Sequence, residues 1–212
     1  MRPKRAGLLA PTAAALLALV SVPGSSALSG SRIETRQVNT TLLQSGDLVF
    51  RAGRGWEADA VRVMSQTVFS HVGIIERDER GRIFVIHAAP PENGGRGYVE
   101  RVTLAAFNAP HYASDIVFYR QAGMTGEAGA RTVDHARILA DRRVPFDEDF
   151  DLADSGAIYC TELVLIAYAE SGSALSPERL ARNRFSIVDN VVFPADLLRS
   201  GSFTEIDAVD RS

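Results

Sequence analysis

The sequence predicts an α+β domain, a small and mostly antiparallel sheet packed against helices. Three observations predict it. Short apolar runs bounded by turn residues come first, at Leu48-Val49-Phe50, residues 71–75 and residues 83–87. The second and third runs are joined by Asp78-Glu79-Arg80-Gly81, whose turn chemistry makes them a β-hairpin. A strongly apolar helix follows late, over residues 160–170. Strands early and a buried helix late point to α+β rather than to alternating βαβ units.

The elements follow in order. Gly46-Asp47 is a turn that starts the first strand. Trp56, Ala60, Val61 and Met64 have helical spacing, which predicts a helix over 56–64. The hairpin comes next. Residues 90–97 form a Pro/Gly loop, 98–102 alternate as a strand does, and 103–107 make a helical turn. Residues 115–120 read as another strand. Residues 126–141 read as a helix with Val133, Ala136, Ile138, Leu139 and Ala140 for its buried side. A polar loop rich in Asp and Phe spans 144–156. In 160–170 the residues Leu163, Val164, Ile166, Ala167 and Tyr168 cover most faces, so this helix is central. After Pro177 the tail has a short helix near 194–199 and an edge strand near 202–206.

The chain start has the three parts of an export signal. Arg2, Lys4 and Arg5 are positive, 7–20 is an apolar run, and Ser25-Ser26-Ala27 offers a peptidase small residues. The run is shorter than the ~20 residues that span a bilayer, so cleavage is expected rather than a stable membrane anchor. The division expected is a signal peptide over 1–27, a polar lead-in over 28–41 and one domain over 42–212, working in the periplasm or outside the cell. A net charge of −3 and the lack of a basic cluster exclude the usual nucleic-acid binder.

The chain has one cysteine, Cys160. Exported proteins commonly pair their cysteines in disulfides, and a lone one cannot pair within its own chain. Ile158-Tyr159-Cys160-Thr161 reads as a turn entering a helix. The free amides there lower a thiol's pKa and can hold an oxyanion, so a reactive thiolate is expected. A thiol nucleophile needs a base, and the chain has four histidines. His71 opens one strand of the hairpin and His87 closes the other, so a tight turn brings them together. His87 can then fix the tautomer of His71. His111 and His135 read as surface residues. One Cys and two His match no compact zinc motif, so neither a metal nor a cofactor is expected.

The motifs Gly46-Asp47-Leu48-Val49-Phe50, Phe69-Ser70-His71-Val72-Gly73-Ile74, the strand ending at His87, and Tyr159-Cys160-Thr161-Glu162-Leu163-Val164 together resemble the YiiX/YebB group. These are circularly permuted papain-like cysteine hydrolases related to the NlpC-type peptidoglycan amidases. The order is what makes the resemblance specific, because His precedes Cys where ordinary papain-like enzymes have the reverse. The resemblance implies a permuted papain-like fold with Cys160 as nucleophile, His71 as base and His87 as the orienting group. Many permuted relatives carry Glu at that third place, and a neutral His supports an imidazolium less than a carboxylate does. Val144-Pro145-Phe146-Asp147 resembles the segment before the nucleophile. Asp47, Ser70 and Tyr159 are candidate substrate contacts, with Asp47 equally able to cap its turn.

The function expected is hydrolysis of amide bonds in short or wall-derived peptides through an acyl-enzyme. The alternative is a lipid acyl hydrolase or acyltransferase resembling the lecithin:retinol acyltransferase-like enzymes, which a long apolar groove along the Trp56 helix would favour. A non-catalytic binding module is the third reading, and the retained Cys160, His71 and His87 speak against it.

Overall fold

The computed structural model describes residues 37–90, 95–153, 156–173, 175, 180 and 191–210. The expected export signal, most of the lead-in and Pro177 lie outside them. Strands β1 (Leu48–Gly53), β2 (His71–Arg77), β3 (Ile83–Ala89), β4 (Tyr98–Thr103), β5 (Ala113–Gln121) and β6 (Phe203–Ile206) form one sheet in the order β4-β3-β2-β1-β5-β6. Every neighbouring pair is antiparallel. The helices are α1 (Trp56–Ser65), α2 (Leu104–Phe107), α3 (Gly126–Asp141), α4 (Cys160–Glu170) and α5 (Pro194–Arg199). The fold is α+β, as the sequence predicts.

Two cores sandwich the sheet, because side chains alternate between its faces. On one face Leu48, Phe50, Val72, Ile74, Ile86, Ala88 and Val99 pack against α3 and α4. On the other Val49, Ile75, Val85, Ile116 and Phe118 pack against α2 and Leu43. Helix α4 is central as expected, with Leu163, Val164, Ala167 and Tyr168 fully buried. The Tyr168 hydroxyl donates to the Gly46 carbonyl, which ties α4 to the turn before β1.

Several bounds differ from the sequence reading. Strand β1 runs on to Gly53, and β5 begins at Ala113 because its first residues pair with the end of β1 across a bulge. The end of the polar lead-in is docked. Val38 bridges Val209, the Asn39 amide donates to the Ala208 carbonyl at 2.7 Å, and Thr40–Leu42 form a 3-10 turn capped by Asn39. These partners lie about 170 residues along the chain, so no local pattern announces them. Among the described residues no helix is long and apolar enough to cross a membrane.

Pairing of β2 with β3 stops at Ile74↔Ile86, although β2 begins at His71. In an antiparallel ladder successive amides point to alternate neighbours. The Ile75 amide donates to Asp47 on the β1 side, so the Val72 amide points to the β3 side, beyond the end of the ladder. This open corner positions the site.

Candidate active site

The start of α4 supplies the thiol. Tyr159 is the N-cap, with extended backbone, and Cys160 is the first helical residue. The segment before it is locked in place. The Ile158 amide donates to Pro145, the Asp147 amide to Ile158, and the Phe146 amide to Gly97. Asp147 is buried and its carboxylate accepts the amides of Asp149 and Asp151, which folds the acidic loop on itself. Cys160 is 6% exposed. Its sulfur lies 3.8 Å from the Thr161 hydroxyl, and the Val72 amide at the open corner of β2 is near enough to favour the charged form of the thiol.

The histidines come from the adjoining strand ends. Arg51 on β1 faces His71 on β2. His71 Nε2 and His87 Nδ1 are 2.9 Å apart, with the rings edge to face. Phe107 from α2 stacks under His71 with centroids 5.7 Å apart and meets His87 edge-on at 5.1 Å. Arg51 lies over the same Phe107 ring and donates to the Phe107 carbonyl at 3.0 Å. Gly73 makes the histidine pairing possible. A Cβ there would stand 2.4 Å from Val85 Cγ1 and 3.3 Å from His87 Cβ, so only hydrogen fits.

Electrostatics set the resting protonation. Burial, the Arg51 guanidinium and His87 together hold His71 well below the ordinary 6.5, so the ring is neutral. Burial pushes the Cys160 thiol up from 9.0, and the Val72 and Thr161 amides, the Thr161 hydroxyl and Arg51 offset this in part. The expectation of a thiolate lowered by its helix start is therefore corrected. Desolvation of the sulfur outweighs the amides around it. At rest the Cys160 thiol and the His71 ring are both neutral, and no hydrogen bond joins the two side chains.

The other candidates have different surroundings. Asp47 is fully buried, accepts the Gln44 amide at 2.7 Å and is paired with Arg120 at 2.7 Å. It stands four residues from Arg51 along β1, about 13 Å at the usual rise, which places it away from the histidines. Ser70 is next to the site, but its hydroxyl accepts the Gly53 amide at 3.0 Å and joins the ends of β1 and β2. The Tyr159 hydroxyl accepts the Val192 amide at 3.1 Å and holds the chain entering α5. His111 is exposed and His135 half-buried, both outside the cluster. Among the described residues no three His, Cys, Asp or Glu side chains are placed to hold a metal ion.

Sequence reasoning missed Arg51, Phe107 and Glu100. Glu100 on β4 is directly opposite His87, with Oε1 3.4 Å from His87 Nε2. The signal was faint, a charged residue on the inward phase of a short alternating strand. The register linking it to His87 crosses a Pro/Gly loop that fixes no pairing by itself.

Comparison with known proteins agrees with this fold. The crystal structure of the metalloprotein yiiX from Escherichia coli O157:H7 superposes with a TM-score of 0.61 at 19% identity, covering 78% of this chain and 97% of that one. No curated protein matches the chain. The model of the permuted papain-like amidase enzymes, the YaeF/YiiX, C92 family, matches residues 42–206. That span takes in the whole sheet, both histidine strands and α4, and the chain belongs to this family of papain-like cysteine amidases.

Proposed function

We propose that the protein is an exported hydrolase of amide bonds in short peptides, with Cys160 as nucleophile, His71 as base and His87 as the group that orients the base. The carrying observation is the corner itself. The lone thiol lies near the Val72 amide, and the residue before Val72 is a histidine hydrogen-bonded to a second histidine. His71 spends Nε2 on His87, which leaves Nδ1 for the thiol proton.

Substrate binding brings the carbonyl to the sulfur. The thiol proton passes to His71 Nδ1 as the sulfur–carbon bond forms, and the carbonyl oxygen takes the negative charge. Amides of the first turn of α4 lack intrahelical acceptors and are the nearest donors for that oxygen. Collapse breaks the C–N bond, His71 returns its proton to the departing amine, and a thioester remains. Water then attacks the thioester with His71 again taking a proton, releasing the acid and restoring the thiol.

Charged groups around the site, Arg51, Glu100 and Arg143, favour a polar peptide over an acyl chain. The test uses protein recovered from the extracytoplasmic fraction, with its N-terminus read by intact mass. It is labelled with a peptidyl acyloxymethyl ketone, then assayed on wall-derived peptides and on lipid esters. The expected result is a mature chain starting near Leu28, label on Cys160 and turnover of peptides. Cys160→Ala and His71→Ala should be inactive, and His87→Ala weakly active. A folded His71→Ala enzyme at wild-type rate would remove the dyad. Turnover of lipid esters alone would replace the peptide reading, and a chain retained in the membrane with Met1 intact would remove export.

A further inference from the structure

We infer that Glu100 is a positioning residue of this site, the group that decides which nitrogen of His71 can take a proton. The inference rests on the proposed Cys160–His71 chemistry.

Two histidines that each carry one proton have no direction of their own. Each ring carries one proton, on either nitrogen. If His87 Nδ1 carries its proton, then His71 Nε2 must accept, and His71 Nδ1 holds a proton and cannot act as base. If His87 Nε2 carries its proton, its Nδ1 is bare. His71 then donates from Nε2, and its Nδ1 is the free lone pair that the thiol needs. Both arrangements satisfy the 2.9 Å contact equally well. A third partner must break the tie.

Glu100 is that partner. The β3–β4 register sets it directly across from His87, and side chains opposite each other in an antiparallel pair meet on one face. Its Oε1 lies 3.4 Å from His87 Nε2. The groups that face it are His87 on β3, Arg143 after α3 and Arg51 on β1. The hydrogen bond with His87 holds the Glu100 carboxyl below its ordinary 4.5, burial opposes this, and the Arg143 and Arg51 guanidinium groups add to it. An ionised carboxylate can only accept, so it requires the proton on His87 Nε2. The chain then runs one way: Glu100 accepts from His87, His87 accepts from His71, and His71 Nδ1 is left as base. The same negative charge supports the imidazolium that forms on His71. The carboxylate that the third position lacks in this chain is thereby supplied from the next strand.

Glu100→Gln tests this, because an amide can accept from or donate to His87 Nε2 and so favours neither tautomer. Glu100 is about one-third exposed on a short strand, and folding is checked by circular dichroism. On the peptide substrate kcat should fall about 10- to 100-fold with KM little changed, the size of loss usual when an outer partner that fixes a histidine's tautomer is removed. The acid limb of the pH profile should move to lower pH, since removing an anion makes the imidazolium easier to deprotonate. In a His87→Glu background, where a carboxylate meets His71 directly, Glu100→Gln should have no further cost. Nitrogen-15 shifts of the histidines should show the Nε2-protonated form of both rings in the wild type and mixed forms in Glu100→Gln. Wild-type kcat and pH profile in Glu100→Gln would overturn the inference while leaving the dyad intact. A rise in KM alone, or an equal loss in the His87→Glu background, would make Glu100 a substrate contact and overturn it too. An active Cys160→Ala enzyme would instead overturn the function on which the inference rests.

Discussion

Cys160 and His71 are both buried to 6% exposure, and this governs their reactivity. The helix start and a neighbouring histidine suggest a thiol more reactive than a free cysteine. Desolvation reverses that expectation in the resting protein. With the thiol pushed above its ordinary 9.0, alkylation by iodoacetamide at about pH 6 to 7 should be no faster than for a cysteine peptide. A peptidyl probe that fills the site should react far faster than its size alone predicts, because it delivers an electrophile to a sulfur that solvent reagents reach poorly. Rapid iodoacetamide labelling of the native protein near neutral pH would show a standing thiolate–imidazolium pair instead. The residue scale also explains why Asp47 and Tyr159, though they stand within the motifs, work on the scaffold. Each spends its polar atoms on backbone or on Arg120.

At the scale of elements, the site depends on where strand pairing ends. Strands β2 and β3 pair closely up to Ile74↔Ile86 and then leave Val72 free to meet the sulfur. Gly73 stands at that boundary. Gly73→Ala should force Val85 and His87 apart, at an overpacking cost of about 1–3 kcal/mol. Activity should fall well beyond what the stability loss explains, because the displaced ring is the one that holds His71. Denaturant unfolding and turnover measured on the same preparation separate the two effects, and an active variant with only lowered stability would remove Gly73 from the site's design. Helix α2 illustrates the same dependence. It is one turn long, yet its Thr103 cap accepts the Ala106 amide at 3.1 Å and sets Phe107 beneath His71 and edge-on to His87.

At the scale of the molecule, the sheet is clamped to its helices by buried charge, and acid should release it in two stages. Glu76 is fully buried on β2 between Arg101 of β4 and Arg137 of α3. Burial alone would raise its carboxyl, but the two guanidinium groups hold it below the ordinary 4.5. His71 is held below 6.5. For both groups the unfolded chain binds protons that the native protein refuses, so stability falls as pH falls. The His71 part is complete above about pH 6.5 and declines below it, while the Glu76 part declines only below about pH 4.5. Urea unfolding from about pH 7.5 downward should show both limbs, and His71→Asn should lose the first and keep the second. A first limb unchanged in that variant would assign it to other groups. By itself the sequence determined the hairpin, the helices at 126–141 and 160–170, and the pairing of His71 with His87. Each of these rests on local periodicity or on one tight turn, and short-range pattern carries that information. Only the tertiary structure decided that Glu100 faces His87, that Arg51 and Phe107 flank the rings, and that the thiol rests protonated. Register across a long loop and the depth of burial are set by how the whole sheet and α4 pack together, and no stretch of neighbouring residues encodes them.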